Sequence, residues 1–290
     1  MTRDEADSFI ARLEASGERR LVDWHGIGIA WRRFGSGPPL VLLHGGHGSW
    51  LHWVRNIEAL AREHTLWVPD MPGFGDSASL PEGAGLQDQV DALIATLDEV
   101  IGTDAPFDLA GFSFGGLVAS TLASQHRRVR RLALLGCAGH GGTRRQTTAL
   151  LNWRSSANEA ELESTMRHNL AAHMLSGPLG IDGLALAVHI RSCRATRFRS
   201  KEISRAGKLP QVLAAVAAPT LLAWGANDVT VQPEAMLRSL TAGHPHRRGR
   251  VVEGGGHWVQ FECAPAINPL LSDWFGRGPG GQQDGCRLPR

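Results

Sequence analysis

The stretch Phe107–Gly116 (Phe-Asp-Leu-Ala-Gly-Phe-Ser-Phe-Gly-Gly) constrains this chain more than any other. Apolar Phe107, Leu109 and Ala110 lead into Gly-x-Ser-x-Gly, and a helix-compatible run from Gly116 to Ser124 follows. That order reads as strand, sharp turn and helix. A turn so tight leaves no room for side chains beside it, which accounts for Gly111 and Gly115. It would place Ser113 at the carboxyl end of a strand, with a helix N-terminus aimed at any negative charge formed there. Ser113 is therefore the first candidate nucleophile.

The rest of the chain repeats the alternation of strand and helix. Residues 2–19 read as a short polar helix with Phe9, Ile10 and Leu13 on one side, and Leu21–Phe34 as a two-stranded hairpin. Strands are expected at Leu40–Leu43, Thr65–Val68, Val129–Leu135, Pro219–Trp224 and Arg250–Glu253. Helical spacing marks Trp53–Ala61, Leu86–Ile101, Glu234–Leu240 and Ala264–Phe275. Between about 140 and 210 strand signals vanish, and helical segments are expected at Leu150–Trp153, Glu159–Leu175 and Leu184–Arg199. The expected architecture is α/β: a mostly parallel central sheet with helices on both faces and a helical cap insertion. Residues 1–139 and 211–276 would form the core and 140–210 the cap over the strands' carboxyl ends. The Gly-, Pro- and Gln-rich 277–290 would be a disordered tail.

Acyl transfer by a serine needs a base to accept the hydroxyl proton and a carboxylate to hold that base's tautomer. Asp228 follows an apolar strand in Gly-Ala-Asn-Asp, and His257 follows the last strand in Gly-Gly-Gly-His. Alone, Asp228 would read as a turn or helix-capping residue and His257 as an ordinary loop histidine. Their order after Ser113, each at a strand's carboxyl end, joins them to it. The oxyanion formed on attack needs preorganised donors. One would be the N–H of Phe114, and the second that of Gly45 or Gly46 in the turn after Leu40–Leu43, with Gly46 favoured. Asp70 and Asp76 read as loop-fixing residues.

Composition narrows the function classes. A net charge of +2 over 290 residues gives no reason to expect nucleic acid or a membrane surface as a partner. The four cysteines have neither Cys-x-x-Cys nor metal-ligand spacing, so no metal or other cofactor is expected. The polar start, with no apolar leader or membrane-spanning run, makes the cytoplasm the expected location. A homo-oligomer is compatible with the sequence.

Together, His44-Gly45-Gly46, Asp70–Ser77, Gly111–Gly115, Gly225–Asp228 and Gly256-His257 resemble the α/β-hydrolase superfamily over about residues 20–276. The resemblance implies a Ser-His-Asp triad of Ser113, His257 and Asp228 and an oxyanion hole at Gly46 and Phe114. Haloalkane dehalogenases and epoxide hydrolases carry aspartate where Ser113 stands, and the latter need lid tyrosines, of which this chain has none. The segment His257–Glu262 (His-Trp-Val-Gln-Phe-Glu) is similar to the corresponding tail of meta-cleavage-product hydrolases, which cut a carbon–carbon bond in diketo acids. Ordinary esterases carry similar tails.

That likeness implies a small-molecule substrate carrying a carboxylate, held by a cap arginine, for which Arg191 and Arg194 are the candidates. Eleven Arg and Lys against five acids in 140–210 fit an anionic substrate, although they also fit a solvated helix surface. Gly45, Trp153 and Trp258 complete the expected substrate-binding set, with Phe114 as a further apolar wall. The expected activity is metal-free serine hydrolysis of a small carboxylic ester or of an activated ketone by carbon–carbon cleavage. Two alternatives stay open: a ligand-binding member of the fold without turnover, and perhydrolase-like cofactor-free chemistry.

Overall fold

The computed structural model describes residues 1–276, so the expected disordered tail at 277–290 lies outside the described residues. An eight-stranded sheet organises the molecule in the order β1-β2-β4-β3-β5-β6-β7-β8. In chain order the strands are β1 (Glu18–Trp24), β2 (Ile27–Phe34), β3 (Pro39–Leu43), β4 (Thr65–Pro69), β5 (Phe107–Phe112), β6 (Val129–Leu135), β7 (Thr220–Gly225) and β8 (Arg247–Val252). Pairing is antiparallel from β1 to β2 and from β2 to β4, and parallel across β4, β3, β5, β6, β7 and β8. The helices are α1 (Arg3–Ala15), α2 (Ile57–Leu60), α3 (Leu86–Ile101), α4 (Phe114–Gln125), α5 (Glu159–Asn169), α6 (Gly183–Arg194), α7 (Lys201–Arg205), α8 (Leu209–Ala214), α9 (Pro233–Thr241), α10 (Val259–Glu262) and α11 (Ala264–Gly276).

The period of two along each central strand divides the core into two layers. Leu40, Leu42, Ala110, Phe112, Ala133, Leu135, Leu221 and Ala223 point to one face, where α1, α2, α6 and α11 cover them. Val41, Leu43, Leu109, Leu132, Leu134, Leu222 and Trp224 point to the other, against α3, α4, α8 and α9. Fully burying a leucine contributes about 2 kcal/mol, so a strand buried on both faces gains on both. This is the mostly parallel α/β sandwich, with all the parallel strands ending along one edge.

Between Leu135 of β6 and Thr220 of β7 the chain makes only helices and irregular segments. Local geometry departs from simple periodicity in several places. Leu150–Leu151 are irregular and largely exposed, and only a short 3₁₀ turn follows at Trp153–Ser155. A π-helical turn, Leu170–Met174, ends the run begun by α5. Helix α6 stops at Arg194, five residues before the expected end, because the chain turns so that Arg197 and Phe198 N–H donate to Gly73 O. Strand β8 begins at Arg247, earlier than apolar character indicates, since buried Arg247 donates to Leu240 O and Leu213 O. Helix α8 runs across residue 210 and packs on α4.

Candidate active site

The turn after β5 presses Ser113 into φ 51°, ψ −116°, a conformation that costs a non-glycine residue about 1–3 kcal/mol. Its neighbours must be glycine on steric grounds. A Cβ at Gly111 would lie 2.4 Å from Gly115 O, and one at Gly115 2.2 Å from His44 O. Hydrogen bonds hold the strained residue: Ser113 N–H donates to Leu135 O at 2.9 Å, and Ser113 O accepts from Gly116 and Ala138 N–H at 3.0 Å each.

The structure brings Ser113, His257 and Asp228 together. Ser113 Oγ lies 2.9 Å from His257 Nε2, and His257 Nδ1 lies 2.9 Å from Asp228 Oδ2. Asp228 Oδ1 accepts from both the N–H and the hydroxyl of Thr230 at 2.7 Å, so both carboxylate oxygens are occupied. Burial alone would raise the Asp228 carboxyl. The adjoining His257 and the bonds from His257 and Thr230 outweigh it and hold the carboxyl below the usual range. A carboxylate can only accept, so Nδ1 carries its hydrogen toward Asp228 and Nε2 presents its lone pair to Ser113 Oγ.

The loop after β3 faces the nucleophile. Phe114 N–H opens α4 and by position has no intrahelical acceptor. Gly46 stands opposite, where a Cβ would be 3.7 Å from Phe114 Cβ and 2.4 Å from Ser200 Oγ. Gly45, also expected to touch substrate, is turned inward instead. Its N–H donates to His52 Nδ1 at 3.2 Å, and a Cβ there would meet the Phe112 ring at 2.9 Å. Two buried histidines, His44 and His52, brace this loop. His44 Nδ1–H donates to Gly45 O at 2.8 Å and its Nε2 accepts Met71 N–H at 2.9 Å. Burial pushes both His44 and His52 down, so they stay neutral. Asp70 fixes the neighbouring turn by accepting from Trp50 and Asp76 N–H and from Arg32.

Above Ser113 lies a cavity of about 340 Å³ whose lining includes Gly46, Phe114 and His257. Trp153, Leu150, Leu151, Met174, Phe112 and Phe114 line it with apolar surface. Three other expected substrate contacts are corrected. Trp258 is fully buried, stacked on Phe261 at 4.0 Å with its indole N–H donating to His52 O, so it builds the floor of the loop and not the cleft. Arg191 reaches away to Asp7 at 2.9 Å, and Arg194 pairs with Glu159, both about half exposed. The reason is rotational: α6 turns His189 and Cys193 toward the cavity, which leaves 191 and 194 on its outer side.

The cations of the cavity lie elsewhere. Arg144, Arg154, Lys201 and Arg205 line it, with no carboxylate among the lining residues. Burial and the like charge of Arg205 lower Arg144, against the opposing pull of Asp228. Histidines 47, 140, 173 and 189 line it too, and burial drives His140 and His189 down to about 4 and His173 to about 3. His173 packs on His257 with ring centroids 5.2 Å apart. Apart from His189 on α6, these residues have no signature in spacing, because the segments carrying them are irregular or short. The Glu262 side chain, last of the His257–Glu262 run, accepts from Gly256 N–H at 2.6 Å and Ser176 N–H at 2.8 Å, bracing the histidine loop against the cap.

Residues 40–269 match the family model described as the alpha/beta hydrolase family. The chain belongs to this family. Among its relatives is the dihydrolipoyllysine-residue acetyltransferase component of the acetoin cleaving system of Pseudomonas putida, 28% identical over 87% of this chain and 66% of that protein. Another is the 2-hydroxymuconate semialdehyde hydrolase of Pseudomonas sp. strain CF600, 30% identical over 83% of this chain and 88% of that protein. Among solved structures, a membrane phospholipase A described as a bacterial virulence factor superposes with a TM-score of 0.73. It is 23% identical over 94% of this chain and 90% of that one, a likeness of fold. As a member of this family it is an enzyme of the alpha/beta hydrolase fold. Among the described residues no helix is long and apolar enough to cross a membrane.

Proposed function

We propose that the protein is a metal-free serine hydrolase with Ser113 as nucleophile, His257 as general base and then acid, and Asp228 as the carboxylate that orients His257. The observation that carries this reading is the pair of 2.9 Å contacts linking the three side chains at the floor of the cavity. His257 Nε2 takes the serine proton as Oγ bonds to the substrate carbonyl carbon. The carbonyl oxygen becomes an anion, and the N–H groups of Gly46 and Phe114 are the donors offered to it, worth roughly 3–4 kcal/mol each. Collapse breaks the bond to the leaving group, which receives the proton from His257. Water, deprotonated by His257, then releases the acid and restores Ser113.

Residues 140–210 act as the substrate-selecting cap over a core of 1–139 and 211–276. The substrate is a small carboxylic ester or a dienoic diketo acid cut at a carbon–carbon bond. Two observations favour the diketo acid: the cationic lining without a carboxylate, and the similarity to a 2-hydroxymuconate semialdehyde hydrolase. A carboxylate that leaves bulk water for the cavity must be paired. Arg144 and Arg205, whose like charges oppose each other there, offer planar guanidinium donors to it. A rate profile over aryl esters of graded size and one dienoic diketo acid tests the reading. The diketo acid should show the highest kcat/KM; turnover of esters alone would leave a carboxylesterase, and turnover of neither would reject the hydrolase.

A further inference from the structure

The turn bearing Asp228 is held from the cap side. Residues 226–228 leave β7 in a turn whose N–H groups donate to Val252, Gly255 and Gly225 O, and its carbonyls are held from the other side. One residue takes most of them. Arg145 N–H donates to Val229 O at 2.8 Å. Its Nη2 donates to Ala226 O at 2.7 Å and to Asp228 O at 2.9 Å, and its Nε to Asp228 O at 3.2 Å. A planar guanidinium can bridge two converging carbonyls in this way, whereas an ammonium offers a single charged point. Asp228 is thus gripped twice, its main chain by Arg145 and its carboxylate by Thr230 and His257.

The flanking residues serve the cavity instead. Arg144 and Gln146 both line it, and Gln146 Oε1 accepts from His173 Nδ1–H at 3.1 Å. Arg145, between them, turns away from the cavity to the carbonyls of the Asp228 turn. One short stretch therefore reaches the substrate space with two side chains and the acid turn with the third.

We infer that Arg145 is a positioning residue of the hydrolytic site, setting the main-chain conformation of Asp228 and through it the direction of His257. This rests on the reading of Asp228 as the triad carboxylate. A tie that merely secured the segment would act differently: its loss would loosen Arg144 and Gln146 and raise KM, whatever residue stood at 228.

A double-mutant cycle on a neutral aryl ester separates the two. Arg145→Gln should lower kcat about tenfold with KM little changed, and Arg145→Lys, which keeps one of the converging bonds, should recover part of the loss. In an Asp228→Asn background, where the tautomer of His257 is already lost, Arg145→Gln should change kcat less than about twofold. Equal factors in both backgrounds, beside a large loss from Asp228→Asn alone, would overturn the role of Arg145 and leave the triad standing. A KM rise without loss of kcat would overturn it as well. No loss from Asp228→Asn alone would remove the acid assignment and this inference together. If Arg145→Gln fails to fold, the same cycle is run with Arg145→Lys.

Discussion

Two arginine-bearing regions border the cavity and differ in what their side chains already touch. On the outer side of α6, Arg191 and Arg194 each hold a carboxylate, Asp7 on α1 and Glu159 at the start of α5. On the irregular segment after β6 and on α7, Arg144 and Arg205 line the cavity near enough for their charges to oppose each other, and no carboxylate lines it with them, although Asp228 behind the lining pulls on Arg144. Counting charges along the sequence treats the four alike. What separates them is neutralisation: the first pair is satisfied within the protein, and the second is the one we propose to meet an incoming anion.

The largest effects should fall on the site that both regions border. Ser113→Ala should abolish labelling by a fluorophosphonate and cut kcat by several orders of magnitude, and Asp228→Asn should cost about 10⁴-fold with KM little altered. Labelling that persists at another residue would remove the nucleophile, and with it the reason for comparing the two arginine pairs at all.

The comparison itself is tested by substrate charge. Arg144→Gln or Arg205→Gln should cost roughly 2–3 kcal/mol in kcat/KM, on the order of 30- to 150-fold, for a carboxylate-bearing diketone. A neutral ester of similar size should be nearly unaffected, since the nucleophile and oxyanion donors remain. Equal losses on both substrates would mean damage to the cavity, and the distinction between the pairs would fail.

Acid should act on the inner region before the outer one. His173, His140 and His189 are held neutral by burial at about 3, 4 and 4, whereas in the unfolded chain each protonates near about 6.5. The unfolded state therefore binds more protons between those values, and stability falls as pH drops from about 6.5 toward 4. The depressed Asp228 carboxyl adds a loss only below that, as pH falls through the ordinary carboxylate range. Denaturant midpoints measured at pH 7.5, 6 and 4.5 check this; a flat profile would mean that these rings are open to water.

The smallest effect belongs to the outer pair. Arg191→Gln and Arg194→Gln each remove a half-exposed ion pair worth about 0.5 kcal/mol or less, shifting the melting temperature by a degree or two. Neither should change kcat/KM for the carboxylate substrate by more than about twofold. A large, substrate-selective loss at Arg191 would restore it to the cavity.

Some of this protein is determined by sequence alone. Close-range sterics do the work at Ser113, because a turn that tight tolerates only Gly111 and Gly115, so the pattern announces the conformation. The parallel strands are legible for a related reason: burial on both faces demands continuous apolar runs such as Leu40–Leu43 and Leu132–Leu135, and the polar turns that follow mark their carboxyl ends. Asp228 is found by its place after such a run, and His257 by the Gly-Gly-Gly turn that carries it after the last strand. Tertiary structure alone decided the cap. Helical spacing in α6 defines a stripe without saying which neighbour covers it, and packing on α1 and α5 turned 191 and 194 outward and 189 and 193 inward. Trp258 follows the same logic, since an aromatic beside a catalytic loop is equally suited to wall or floor until the His52 carbonyl takes its N–H. Arg144 and Arg145 lie on a segment with no periodicity at all, so their opposite tasks were set only by the carbonyls of the Asp228 turn on one side and the cavity on the other.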